Sequence, residues 1–150
     1  MLFRSDTVRI WLLDEAGETL CLRAQDGITR RDVPAKDRLA PDDSLSGWAL
    51  TRRKPLVLAD VQQDPRLKNR EWFEAEGLVS FLGVPIMRGD APLGIIACMS
   101  RKRREFTDAD VALTEALTAP AVAAVRNAAL YAEALERRSE ERRVGKECRL

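Results

Sequence analysis

The alternation of apolar and polar positions near the start of the chain predicts a β-hairpin. Every second residue in the segment 6–14 is apolar, as expected of a half-buried strand. Its two faces carry different sets: Val8, Ile10 and Leu12 on one, and Thr7, Arg9 and Trp11 on the other. Residues 19–24 alternate again after a short turn, which indicates an antiparallel partner strand. Residues 26–43 are polar, contain two prolines and show no period, so they predict a long loop.

Two short helices and a brief strand are predicted in the middle of the chain. The polar residues 42–46 supply acceptors for the free amides of a short helix over 47–51. Residues 55–61 have the pattern of a short strand. Residues 71–76 predict a helical turn, which Gly77 closes in a left-handed conformation.

A strongly apolar hairpin follows. Its strands, 79–87 and 93–100, are apolar at nearly every position, so we expect both faces of this part of the sheet to be covered. Gly83 and Gly94 lie inside these strands, where glycine marks a bulge or a close approach to the backbone.

The C-terminal part predicts one long helix. Thr107 to Asp110 form a start resembling a capping box, and the helix is expected to run to about Arg137. Small and apolar residues repeat along it with heptad spacing: Leu117, Ala121, Ala124, Ala128, Tyr131 and Leu135. This seam predicts close packing on the sheet or on a second copy of the helix. Pro120 interrupts the helix and is expected to kink it.

Composition agrees with one globular domain. The chain has 150 residues, 45% of them hydrophobic and 33% charged. The order of the elements predicts an α+β fold in which helices cover the faces of an antiparallel sheet. No apolar run is long enough to span a membrane, and the first residues lack the pattern of a signal peptide. We therefore expect a cytoplasmic protein without a membrane partner.

The chain contains no histidine, which removes several classes of chemistry. Histidine acid–base catalysis, imidazole metal sites, a phospho-accepting histidine and histidine haem ligation within this chain are excluded. Cys21, Cys98 and Cys148 form no CxxC pair and no metal-ligand spacing, so we expect no metal site. We interpret these cysteines as small apolar residues.

Residues 138–150 are expected to be a non-native tail, which leaves 1–137 as the domain. The segment 138–149, RSEERRVGKECR, resembles the translation of a sequencing adapter. It holds five Lys/Arg and three Asp/Glu, so the rest of the chain carries 20 basic and 21 acidic residues. Without a basic surplus to neutralise phosphates, we expect no nucleic-acid partner.

Five segments resemble the GAF domain family in their order and spacing. They are DSLSGWAL at 43–50, PLVLAD at 55–60, SFLGVPI at 80–86, PLGIIA at 92–97 and FTDAD at 106–110. The resemblance covers about Asp6 to Arg137. It implies a PAS-like α+β fold with a central six-stranded antiparallel sheet, helices behind it and a small-molecule pocket on the opposite side. The family's helix before the first strand is missing, which suggests a fragment truncated at its N-terminus.

The resemblance also implies where a ligand would bind. The candidate ligand-binding residues are Asp60, Trp72, Phe73, Ser80, Phe81 and Cys98. Trp72 and Phe73 lie where the family places a lid over its pocket. Each candidate also has a structural interpretation: the aromatic rings fill the core, Ser80 bonds the neighbouring backbone, Asp60 forms a turn, and Cys98 is a core residue.

Known ligands of the family fit this sequence poorly. Members that bind cyclic nucleotides carry an Asn-Lys pair and a Phe-x-x-x-Asp-Glu motif. Here Lys68 and Asn69 stand in reversed order, and Val111 follows Asp110, so that signature is incomplete. Bilin binding needs a cysteine–histidine pair. We expect no resident cofactor, neither bilin nor haem, although the family's pocket accommodates other small molecules.

The resemblance implies a non-catalytic, small-molecule-sensing regulatory domain of a bacterial sensor kinase, cyclic-di-GMP enzyme or transcription activator. The long helix is expected to mediate a homodimer and to pass the ligand state to a covalently linked output domain. Two alternatives stay open. One is a ligand-free dimerisation module. The other is an enzyme like free methionine sulfoxide reductase, which needs a cysteine of low pKa and a resolving partner.

Overall fold

The computed structural model describes residues 5–27 and 36–147. The strands in these residues are β1 (Thr7–Leu13), β2 (Leu20–Gly27), β3 (Arg38–Leu39), β4 (Leu56–Leu58), β5 (Ser80–Arg88) and β6 (Ala91–Ser100). The helices are α1 (Leu45–Arg52), α2 (Arg70–Glu76) and α3 (Asp108–Glu147), with 3-10 turns at Pro41–Asp43 and Val61–Gln63. The predicted α+β class is confirmed.

The six strands form one antiparallel sheet in the order β3-β2-β1-β6-β5-β4. One strand was not predicted, because β3 falls within the segment 26–43 that the sequence assigned to a loop. Its two residues, Arg38 and Leu39, pair with Cys21 and Leu20 of β2. A two-residue strand is too short to show a period, so only its pairing reveals it. Residues 28–35 of that segment lie outside the described ranges.

The apolar residues Val8, Ile10 and Leu12 favour burial of their face of β1, but the structure buries the other face more deeply. Thr7, Arg9 and Trp11 are buried, whereas the face with Val8, Ile10 and Leu12 is only partly covered. The cause is tertiary: the main core cluster contains Trp11 together with residues of α1 and α2, such as Leu45 and Phe73. An arginine on this face is therefore carried into the interior.

The hairpin of β5 and β6 lies between β1 and β4 in the sheet and is covered on both faces, as predicted. All residues from Ser80 to Ile86 and from Gly94 to Ser100 are buried, so both faces are covered. At Gly94 a side chain would collide with the backbone oxygen of Trp11 on the neighbouring strand. The predicted close approach is confirmed there, since only a residue without Cβ lets β1 pair so closely at this point.

The local signals at the helix termini are confirmed. The Ser44 hydroxyl accepts a hydrogen bond from the amide of Gly47 at 3.0 Å and so caps α1. Gly77 closes α2 with a left-handed φ of 69°. At the start of α3 the Thr107 amide donates to the Asp110 carboxylate at 2.8 Å, and the Asp110 amide donates back to the Thr107 hydroxyl at 3.3 Å.

The chain divides within α3 into two units. Residues up to Thr118 form the compact unit that contains the sheet, and residues from Ala119 form the second unit. In the second unit the helix continues to Glu147, ten residues beyond the predicted end at Arg137. Residues 138–147 are rich in Glu, Arg and Lys, which favour helix. Within the described ranges, no helix is both long and apolar enough to cross a membrane.

Candidate functional site

A cavity of about 420 Å³ lies on the face of the sheet that carries Trp11. Its lining residues come from β1, β3, α2 and their connecting segments: Arg9, Trp11, Lys36, Leu39, Asp43, Lys68, Asn69, Glu71 and Trp72. A smaller space of about 20 Å³ shares five of these residues and adds Phe73 and Phe81 among others. The larger cavity has the size of a small-molecule site.

Local structure brings these side chains together. Arg9 and Trp11 are two residues apart on β1, so strand periodicity places them on the same face. Asn69 precedes the first residue of α2, and Trp72 lies in its first turn. The ring of Trp72 meets that of Phe73 edge to face, with centroids 5.1 Å apart. The aromatic pair of α2 thus packs beside the strand that presents the arginine.

Arg9 is the unusual residue of this site. It is only 4% exposed, and its guanidinium stacks on the Trp72 ring 4.2 Å from the centroid. Among the described residues, its Nε and Nη2 atoms have no hydrogen-bond partner. Burial lowers the pKa of Arg9, and the negative charge of Glu76 opposes this shift. The group nevertheless remains charged, as arginine does in proteins.

Two further buried polar atoms belong to residues that line the same cavity. They are the side-chain oxygen of Asn69 and the indole nitrogen of Trp72, and neither has a hydrogen-bond partner among the described residues. Buried polar groups are nearly always paired, and a group left unpaired costs about 1–3 kcal/mol. Three residues that line this cavity, Arg9, Asn69 and Trp72, therefore have hydrogen-bond donors or acceptors without partners in the described part of the chain.

The structure brings only half of the predicted site residues to this place. Trp72 lines both spaces, and Phe73 and Phe81 line the smaller one. Asp60 instead caps a 3-10 turn, where its carboxylate accepts from the amide of Gln62 at 3.0 Å. Ser80 donates its hydroxyl to the backbone oxygen of Lys102 at 3.0 Å. The structural interpretations of Asp60 and Ser80 therefore agree with their contacts.

The two cysteines in the described residues lie on the other face of the sheet. Cys98 pairs with Val8 and Cys21 with Leu12, both on the face of β1 opposite to Arg9. Burial raises the pKa of the Cys98 thiol to about 12. The two paired positions are four residues apart on β1, about 13 Å at the rise of a strand. That is beyond the reach of a disulfide, and Cys148 lies outside the described residues.

Arg9, Trp11, Leu39 and Asn69 were missed as site residues. For Arg9 a signal existed in the sequence, since it shares a strand face with Trp11 in a domain whose central strands are apolar. Within the described part of the chain, no group of three or more acidic or cysteine side chains is placed to hold a metal ion.

Comparison with known proteins agrees with this architecture. The profile of the GAF domain family matches residues 3–126. The GAF domain of a phosphoenolpyruvate-protein phosphotransferase from Coxiella burnetii is similar, with 26% identity, a TM-score of 0.66, and 83% of this chain and 76% of that chain covered. A comparison with curated proteins found no match.

Two further solved structures share the fold at lower identity. The GAF domain of a two-component sensor histidine kinase from Bacillus halodurans has 21% identity and a TM-score of 0.67, with 87% of this chain and 88% of that chain covered. A type II free methionine-R-sulfoxide reductase from Thermoplasma acidophilum has 22% identity and a TM-score of 0.65, with 77% of this chain and 74% of that chain covered. The same fold therefore occurs in a domain of a sensor histidine kinase and in an enzyme.

Proposed function

The chain belongs to the GAF domain family of regulatory and sensory domains in signalling proteins, and we propose that it is a non-catalytic sensor of a small molecule. In this proposal the ligand occupies the cavity beside Arg9 and Trp72, and α3 passes the ligand state to a covalently linked output domain. The proposal rests on the cavity of about 420 Å³, whose lining residues include buried polar groups without partners in the described structure. A ligand supplies the missing hydrogen bonds.

The contacts of the thiols support a non-catalytic role. A reductase of the kind found on this fold needs a thiolate that can attack its substrate. The Cys98 thiol is protonated at neutral pH because burial raises its pKa to about 12. Both described cysteines lie on the sheet face opposite to the cavity, so neither reaches a ligand bound beside Arg9.

The helix supports the proposed route of the signal. Asp108 to Thr118 belong to the unit that holds the sheet, and Thr114 is fully buried there. Farther along, Tyr131 and Leu135 of the heptad seam are 68% and 49% exposed. Apolar side chains at heptad spacing stabilise a coiled coil, so we propose that this part of α3 pairs with a second copy. A ligand would then bias the helix pair if it bound the two signalling states with different affinity.

A thermal-shift screen of small metabolites tests ligand sensing. A ligand at a hundred times its dissociation constant adds about 2.7 kcal/mol to the free energy of unfolding, which corresponds to about 5–11 °C in the melting temperature. The variant Asn69→Leu, which changes a cavity residue at similar volume, should respond less to any compound found. Asn127→Leu on the exposed part of α3 is the matched control and should respond like the wild type.

The exposed seam also favours a second candidate function, the ligand-free dimerisation module. If no compound in a broad metabolite set stabilises the protein, sensing is wrong and this candidate takes its place. Dimerisation has its own test by analytical ultracentrifugation. Leu135→Asp on the seam should shift the protein toward monomer, whereas Leu130→Asp, also exposed but off the seam, should not. A monomeric wild type would exclude both the module and the proposed helix pair.

A further inference from the structure

The chemistry of the ligand can be inferred from the buried arginine, on the basis of the sensing function proposed above. Arg9 lies on β1 directly across from Ala97 of β6 and Gln25 of β2, near the middle of the sheet. A charged side chain at such a position is ordinarily paired, because taking an ion out of water without compensation is costly. In the described residues, the ring of Trp72 covers the face of the guanidinium. Stacking occupies the face of the planar group and leaves the N–H bonds at its edge unpaired.

The unpaired edge is the one with which arginine binds carboxylates. Nε and Nη2 lie on the same side of the guanidinium, and their N–H bonds are parallel. Arg66 of this chain shows the arrangement: its Nε donates to one oxygen of Asp64 at 2.8 Å and its Nη2 to the other oxygen. In Arg9 the same two nitrogens have no partner among the described residues. Arg9 therefore keeps unpaired the same edge that Arg66 uses on Asp64. Both nitrogens are buried, so a carboxylate reaches them only when the side chains beside them move.

The other unpaired atoms define the rest of the ligand. The Asn69 oxygen is an acceptor and needs a donor on the ligand, whereas the Trp72 indole is a further donor. A compound with a carboxylate and a hydroxyl or amino group close to it has both kinds of group. Trp11 and Leu39 add apolar surface to the same lining.

The charge around the cavity favours a ligand with no more than one negative charge. Three basic lining residues, Arg9, Lys36 and Lys68, stand against two acidic ones, Asp43 and Glu71. Glu76, whose negative charge acts on Arg9, balances the remaining positive charge. A carboxylate adds one negative charge to these surroundings, whereas a phosphate monoester adds nearly two at neutral pH.

We propose that this cavity binds a small organic monocarboxylate, such as a hydroxy acid or a zwitterionic amino acid, whose carboxylate is held side-on by Nε and Nη2 of Arg9. The hydroxyl or amino group donates to Asn69. The apolar remainder of the ligand lies along Trp11 and Leu39. Residues of the other sheet face, including Cys98, do not contact it.

NMR of the arginine Nε–H groups in the whole chain tests this directly. Arg9 and Arg66 are assigned from the signals lost in Arg9→Lys and Arg66→Lys. The probes are glycolate, lactate and mandelate, each beside its neutral carboxamide, together with inorganic phosphate. They are used at about 10 mM, where a millimolar dissociation constant gives near saturation. The Arg9 signal should move saturably with at least one carboxylate, while the Arg66 signal, already paired with Asp64, stays in place.

The carboxamides and phosphate show whether the site selects a carboxylate over a neutral group and over a phosphate. Each carboxamide should bind at least tenfold more weakly than its acid, because a charge-assisted pair is replaced by neutral hydrogen bonds. The inference is overturned if no carboxylate moves the Arg9 signal, if an acid and its amide bind equally, or if phosphate binds more tightly than every acid. A neutral compound that stabilises the protein in the metabolite screen would still support sensing, so the two proposals fail separately.

Discussion

Replacing Arg9 by methionine should stabilise the ligand-free protein, because the buried arginine is not fully paired in the described structure. Two N–H groups of this charged side chain lack partners among the described residues. At about 1–3 kcal/mol for each buried unpaired group, their cost is about 2–6 kcal/mol. The substitution loses the stacking on Trp72, about 1–2 kcal/mol, and the attraction of Glu76. Methionine has a similar length and packs against the ring. We expect a net gain of about 1–3 kcal/mol in the free energy of unfolding.

The measurement is urea unfolding of refolded protein, so that no bound compound is carried over, at one fixed protein concentration. The slope of the transition should stay unchanged, since the substitution does not alter the surface exposed on unfolding. Arg66→Met is the matched control. It breaks a partly exposed pair with Asp64 and should lower the free energy of unfolding by about 0–1 kcal/mol. A loss of 1 kcal/mol or more in Arg9→Met would show that the guanidinium is fully paired in the free protein and would refute this reasoning.

Three further predictions concern the scaffold. Gly94→Ala should lower the free energy of unfolding by about 1–3 kcal/mol, measured in urea, because the added Cβ meets the backbone oxygen of Trp11; an unchanged value would contradict the close strand contact. Ser44→Ala should cost about 1 kcal/mol through loss of the cap on the Gly47 amide, and Ser44→Gly should cost less. Burial raises the pKa of Cys98 to about 12, so above about pH 9 the unfolded chain releases a proton that the folded protein keeps. The free energy of unfolding should therefore fall with rising pH by about 1.4 kcal/mol per unit more than in Cys98→Ala, and parallel profiles would contradict the shift.

Local signals in the sequence predicted much of the scaffold. The apolar runs of β5 and β6 are long and bounded by turn residues, and the caps at Ser44 and Thr107 depend on side chains within a few positions. Such features are determined by neighbouring residues, so they can be found from a sequence. The strand β3 was missed because two residues acquire strand geometry only through pairing with β2.

The candidate site was less accessible to sequence reasoning, because its residues meet only in the folded chain. Arg9 is buried because residues of α1 and α2 pack on the face of β1 that it shares with Trp11; Trp11 is the one local sign of this burial. Asn69 and Trp72 precede and enter α2, far from β1 in sequence, yet they line the same cavity. The position of Cys98 follows from strand pairing. Cys98 lies across from Val8, and Val8 and Arg9 are neighbours on β1, so Cys98 is on the face opposite to Arg9.

The most direct test of ligand sensing is a crystal structure of the chain with the compound that stabilises it most in the metabolite screen. We expect the compound to lie in the cavity beside Trp72, with its carboxylate about 2.7–2.9 Å from Nε and Nη2 of Arg9. A compound bound at α3 or on the sheet face of Cys98, with Arg9 still unpaired, would contradict the assignment of this cavity as the sensing site.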